Sequence, residues 1–283
     1  MRIARLILLR SSSPNEMKKI FLTGASAGIG LATGHALVKA GHQVWGTSRQ
    51  LNRLPTLSGL HPVRLDLKDP TSVEEAWTSA LQDAGFFDVV INNAGSGHFN
   101  PAALLSPRVI QDQFQLLVFG QIQLCQAALQ SMQARQRGLI INVTSLASSL
   151  PVPFTAAYNA AKAALVSFTM TLQLELGDSP IRIVDVQPGD ISTDFNDAVV
   201  RDDSLGAGYQ DRMNQAWKVV CRNMKQAPKP EVVAERIAHL VEATKPPPRV
   251  RVGDPFQTTI APIIFSILPP ALRVWGLRRY YGI

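Results

Sequence analysis

Tyr158 and Lys162, in the run Tyr158-Asn159-Ala160-Ala161-Lys162, place a phenol and an ammonium four residues apart. On a helix that spacing puts both side chains on one face, one turn apart. A free phenol has a pKa of about 10 and exchanges protons poorly at neutral pH. An ammonium about 5 Å away, at an effective dielectric of about 20, favours the phenolate by about 3 kcal/mol, or about two pKa units. The pair is therefore expected to draw Tyr158 toward the range of a general acid/base. A bare Tyr-x-x-x-Lys is common by chance, so its meaning depends on what the rest of the chain builds around it.

The first such element lies far upstream. Ile20-Phe21-Leu22-Thr23 is a short apolar run that ends in Gly24-Ala25-Ser26-Ala27-Gly28-Ile29-Gly30, and the helical pattern of Leu31, Ala32, His35, Ala36 and Val38 follows at once. Strand, glycine turn and helix in that order are what a nucleotide-binding βαβ unit needs. Glycines let backbone approach a pyrophosphate, and a helix N-terminus offers free N–H groups at the positive end of its dipole.

Here the sequence resembles the short-chain dehydrogenase/reductase family, in its short single-domain branch. Thr23-Gly24-x-x-x-Gly28-Ile29-Gly30 matches the family's cofactor turn, and Asn92-Asn93-Ala94-Gly95, after the strand Asp88-Val89-Val90-Ile91, matches its second cofactor motif. Ser145 stands thirteen positions before Tyr158, the family's spacing for its catalytic serine. Gln187-Pro188-Gly189, with Thr193 just beyond, matches the turn and threonine beside the nicotinamide. The likeness runs from about residue 17 to about residue 255. It implies a Rossmann-like, doubly wound parallel α/β sheet of about seven strands in one domain, and an oxidoreductase with Ser145, Tyr158 and Lys162 as catalytic residues. It also implies cofactor contacts from Gly24, Ser26, Gly28, Ile29, Gly30, Asn92, Ala94, Gly95, Tyr158, Lys162, Pro188, Gly189 and Thr193. In those roles Tyr158 gives or takes the proton, Ser145 steadies the carbonyl oxygen, and Lys162 tunes the tyrosine and holds the nicotinamide ribose.

Composition agrees. A chain of 283 residues, 46% hydrophobic, can bury one large α/β core. Strand candidates Gln43–Thr47, Val63–Leu65, Val89–Ile91, Leu139–Val143, Arg182–Val186 and Val250–Val252 alternate with helix-length segments, as a parallel sheet covered on both faces requires. Asp69-Pro70-Thr71 starts a helix, with a capping carboxylate and an early proline. Cys125 and Cys221 have neither metal nor redox spacing, which points to a reduced, cytoplasmic protein. Five scattered histidines give no zinc pattern. His98, just past the Asn-Asn-Ala-Gly turn, reads as a solvated loop residue in preference to one facing substrate.

The cofactor follows from charge. NAD-binding units place an Asp or Glu about twenty residues past the glycine turn, on the ribose 2′-hydroxyl. Here Ser48 and Arg49 follow the second strand, and no carboxylate stands there. A hydroxyl beside a guanidinium suits a 2′-phosphate that a carboxylate would repel. NADP(H) is therefore expected over NAD(H). Asp66, after the third strand, matches the family residue that meets the adenine.

One departure from the family stands out. Many members carry a proton-relay asparagine three residues before a glycine, and in Phe114-Gln115-Leu116-Leu117-Val118-Phe119-Gly120 that place is taken by Leu117. A relay would then run through backbone carbonyls, water or Gln115.

Between Gly189 and about Lys229 the chain is polar and poorly patterned, the region that forms a substrate lid in this family. Phe195, Val199, Val200, Leu205, Tyr209, Met213 and Trp217 are candidates to line a pocket for a small lipophilic ketone, aldehyde or secondary alcohol. Residues 1–16 read as an extension, with Met17 as an alternative start, and their apolar stretch is too short for export. Residues 256–283 are apolar but broken by Pro262, Pro269 and Pro270, and carry Arg273, Arg278 and Arg279. Contact with an anionic membrane, a helix closing the pocket and a subunit contact in a homo-oligomer all stay open for this segment. The net charge of +7 comes without any nucleic-acid motif, so no nucleic-acid partner is expected. Two other classes stay open: a non-catalytic NADP(H)-binding sensor or scaffold, which Leu117 favours and the intact Ser145, Tyr158 and Lys162 disfavour, and a nucleotide-sugar epimerase or dehydratase, which the short chain and glycine spacing disfavour.

Overall fold

Adjacent residues of the first strand serve opposite faces of the molecule. Ile20 and Leu22 join one apolar layer while Phe21 joins the other, because strand side chains alternate. A strand buried on both faces reads as a continuous apolar run, which is the mark of a parallel sheet covered by helices. The computed structural model describes residues 16–193, 199–201 and 207–283.

Seven strands are described: β1 (Lys19–Leu22), β2 (Gln43–Ser48), β3 (Leu60–Arg64), β4 (Val89–Asn92), β5 (Gly138–Val143), β6 (Ile181–Pro188) and β7 (Arg249–Val252). All pair in parallel, in the order β3-β2-β1-β4-β5-β6-β7. Helices α1 (Gly28–Lys39), α2 (Pro70–Ala84), α3 (Pro107–Phe114), α4 (Gly120–Arg135), α5 (Ala156–Leu176), α6 (Ala207–Gln226), α7 (Pro230–Glu242), α8 (Ala261–Ile267) and α9 (Pro270–Tyr281) complete it. α1 and α7 pack on one face through Leu37, Val233 and Ile237, and α2, α4 and α5 on the other through Val73, Leu124 and Leu172. β1 has β2 on one side and β4 on the other, so the winding reverses there and opens a crevice at the strands' carboxyl ends.

The expected α2 start holds: Asp69 accepts from the Thr71 amide at 3.0 Å with Pro70 in the first turn. The third strand needs correction. It starts at Leu60 and ends at Arg64, where Val63–Leu65 was expected. Pro62 is tolerated within it because β3 is an edge, where the missing N–H costs nothing. The segment expected to be poorly patterned contains α6, twenty residues long. Its Met213, Ala216, Trp217 and Val220 repeat at helical spacing and pack on Phe99 and Tyr281. Its polar remainder masked that repeat. Phe195, Leu205 and residues 1–15 lie outside the described residues.

Candidate active site

Thr23, buried at the end of β1, ties the glycine turn to β4. Its hydroxyl accepts from the Asn93 and Ala94 amides at 2.9 and 3.0 Å, and Asn93 Nδ2 donates to the Thr23 carbonyl at 3.0 Å. Gly24 turns at φ +71°, and a Cβ there would stand 2.9 Å from Ala94 Cα. Gly30 is tighter still, since a Cβ would fall 2.0 Å from the Gly24 carbonyl oxygen. Ala27 precedes α1 in extended conformation, and no side-chain hydrogen bond caps the helix. Its positive end therefore stays open to an anion.

This turn forms one end of a cavity of about 1060 Å³. Gly24, Ser26, Gly28 and Ile29 line it, as do Ser48, Arg49, Asp66, Ala94, Gly95, Ser145, Tyr158, Lys162, Pro188, Gly189 and Thr193. Two expected contacts do not. Asn92 is fully buried below the floor, where its amide donates to Asn142 at 2.9 Å and Cys125 Sγ at 3.2 Å. Gly30 lies behind the turn and serves close packing. Alternate residues of a strand end or a helical turn point away from the ligand side, so membership of a motif does not by itself place a residue on the cavity.

Tyr158 and Lys162 share a face of α5, and the Ser145 hydroxyl hydrogen-bonds the Tyr158 phenol. Ser145 Oγ also accepts from the Ala147 amide at 3.1 Å, so its rotamer is held. Lys162 is only 3% exposed and donates to the Val143 carbonyl at 2.8 Å. Burial pulls its pKa down to about 8, against the supporting charge of Asp185. The expected lowering of the Tyr158 pKa is reversed. Burial raises it, and the Ser145 hydrogen bond offsets this only in part. The ammonium sits 6.0 Å from the ring centroid, aimed at the Val143 carbonyl, and desolvation of the phenol prevails.

Leu117 is wholly buried against Val118 and Ala161, in a π-helical turn spanning Gln115–Phe119. Its Cδ2 lies 3.2 Å from where a Gly95 Cβ would be. Gln115 donates to the Leu67 carbonyl at 3.4 Å, so its amide is already engaged away from Tyr158.

Three further residues belong to the site's surroundings. Arg53, on the turn after β2, lines the cavity with Arg49 and adds a second guanidinium. Asp185, 1% exposed within β6, accepts from Thr144 and from Arg249 Nε at 2.7 Å. A lone carboxylate in an apolar strand was the signal that could have found it. His98 also lines the cavity, and its Nδ1 is buried with no hydrogen-bond partner among the described residues. Burial lowers its pKa, so the solvated-loop expectation is corrected.

Apolar side chains also line the cavity, interspersed with Asn223, Gln226 and Arg273. Leu146, Leu150 and Val152 follow β5, Trp217 comes from α6 and Val199 from the chain before it, and Phe265 and Leu268 come from α8 and its end. Of the other lid candidates, Met213 is packed inward while Val200 and Tyr209 lie outside the lining. The C-terminal segment therefore forms part of the cavity wall. Gln257 fastens it to the Pro-Gly turn, donating to Asp190 at 2.7 Å and accepting from the Asp190 amide at 3.0 Å.

The family model described as short chain dehydrogenase matches residues 18–204. A 3-ketodihydrosphingosine reductase of Bacteroides thetaiotaomicron is 30% identical over 266 residues, covering 93% of this chain and 98% of the relative. An NADPH-dependent 1-acyldihydroxyacetone phosphate reductase of Schizosaccharomyces pombe is 34% identical over 180 residues, 62% of this chain and 60% of the relative. Among solved structures, a short-chain dehydrogenase from Streptomyces avermitilis superposes with TM-score 0.77 at 26% identity, covering 93% of this chain and 94% of that one.

Proposed function

Because the chain belongs to the short-chain dehydrogenase/reductase family, we propose that it is an NADP(H)-dependent oxidoreductase acting on a lipophilic ketone or the matching secondary alcohol. One observation carries this reading: a single cavity joins the glycine turn, the Ser145–Tyr158–Lys162 set and the apolar side chains of the lining. The open α1 N-terminus and the close glycine approaches suit a pyrophosphate. Arg49 and Arg53, beside Ser48 and without a carboxylate at the end of β2, suit a 2′-phosphate. Bound nicotinamide would supply or take up the hydride. Tyr158 gives its phenolic proton to the carbonyl oxygen in reduction and recovers it in oxidation. Ser145 turns its O–H to the same oxygen and steadies the charge that develops there. Lys162, while protonated, favours the phenolate that Tyr158 becomes. The names of the two relatives, both reductases of lipid-like ketones, support a substrate with a long apolar chain.

The test is oxidation of NADPH against ketones of increasing chain length. Turnover that rises with chain length supports the reading. A protein that binds NADPH but turns over no ketone or aldehyde would instead be the sensor or scaffold.

A further inference from the structure

The last two helices have an inner and an outer surface of different use. Inward, Phe265, Leu268 and Leu277 line the cavity. Outward, Ile260, Ile263, Ile264 and Ile267 are all exposed, Ile267 by 74%, at the i, i+3, i+4, i+7 spacing of one helical face. On α9 the exposed Ala271, Val274, Trp275 and Arg278 repeat the same spacing, with Trp275 66% exposed. Ile264 and Leu272 belong to both surfaces, each lining the cavity while remaining exposed. The apolar outer face thus continues into the cavity's lip.

Charge identifies what covers this face. Between Pro255 and Ile283 there is no acidic side chain, while Arg273, Arg278 and Arg279 are all basic. Arg278 and Arg279 are exposed beside Trp275 and Tyr280. Exposed isoleucines flanked by arginines and indole or phenol rings suit the boundary between acyl chains and anionic headgroups. A second copy fits less well. A twofold contact through the same patch would bring the arginines of both copies together without a counter-charge.

We propose that residues 256–283 dock the protein on an anionic lipid bilayer, with the cavity's lip facing the acyl chains, so that a bilayer-dissolved substrate enters from the membrane side. The route of entry rests on the lipophilic-substrate reading above, while the docking itself does not. No described helix is long and apolar enough to cross a membrane.

The test uses the full chain and sedimentation with vesicles of phosphatidylcholine alone or with about one third phosphatidylglycerol. The unmodified protein should bind the anionic vesicles at least about tenfold more tightly than the neutral ones, and release them at high salt. Ile263→Ser with Ile267→Ser, and separately Arg278→Glu with Arg279→Glu, should each weaken binding about tenfold. Thermal melts and NADPH affinity should stay unchanged in both. Trp275→Ala, a milder change on α9, serves if either double variant fails to fold. Turnover of a vesicle-dissolved ketone should fall in the variants while turnover of a soluble short ketone should not. The proposal is overturned if the unmodified protein stays in the supernatant, or if the folded variants bind as well as it does. Light scattering that finds a dimer split by these substitutions, without vesicle binding, would assign the face to a second copy instead. If no ketone is turned over, the function proposed above fails while sedimentation still decides the docking.

Discussion

Tyr158 lines the cavity within hydrogen-bonding reach of Ser145, while the other described phenols of the lining, Tyr280 and Tyr281, come from the C-terminal helix. Tyr158→Phe removes its proton and keeps the ring. Turnover should fall by at least about a hundredfold with NADPH affinity nearly unchanged, as steady-state rates and titration would show. At the cofactor end, Arg49→Asp replaces an attractive charge with a repulsive one. Titration should then find the preference for NADPH over NADH eroded or reversed, most clearly when Arg53 is neutralised as well. Leu117 belongs to the packed interior, so Leu117→Asn buries an amide without assured partners. Chemical denaturation should find a loss of about 1–3 kcal/mol, and no gain in rate should accompany it.

At the scale of elements, β5, β6 and α5 jointly set the charge on Lys162. Its folded pKa of about 8 lies below the ordinary lysine value, so the unfolded chain binds more protons between pH 8 and about 10.5. Stability from this group therefore rises with pH across that window. In Lys162→Met the difference in Tm, variant minus unmodified, should shrink from pH 8 to pH 10.5, while the variant is inactive throughout. Turnover of the unmodified protein should fall above pH 8 as the ammonium is lost. Asp185→Asn removes the supporting negative charge, so that alkaline limb should move to lower pH in a rate profile. The glycine turn is an element whose geometry permits no Cβ at Gly30. Gly30→Ala should abolish NADPH binding, whereas Gly208→Ala, with open space around it, should leave binding intact.

Across the whole molecule, the apolar lining of the cavity is assembled from the segment after β5, α6 and the C-terminal helices. Trp217 of α6 packs edge-on to Phe99, with ring centroids 4.7 Å apart. Trp217→Ala should lower kcat/KM by about tenfold for long-chain ketones and much less for short ones, with a chain-length series as the readout.

The sequence by itself determined the chain order of the apolar strands and which residues are candidates for chemistry at their carboxyl ends. Those signals are local: an apolar run, a glycine spacing, two residues one helical turn apart. Covalent geometry and side-chain periodicity carry them without knowledge of distant partners. Only the tertiary structure decided what depends on which side a residue faces and what surrounds it. It placed Asn92 and Gly30 behind the site wall, put Pro62 on an edge strand and engaged Gln115 with Leu67. It also set the Tyr158 phenol in surroundings where burial outweighs the Ser145 hydrogen bond, and brought Asp185 and Arg249 together beneath the site. Desolvation and close packing are sums over neighbours far apart in the chain. The field at one hydroxyl therefore depends on the whole fold, while a motif depends on a few consecutive residues.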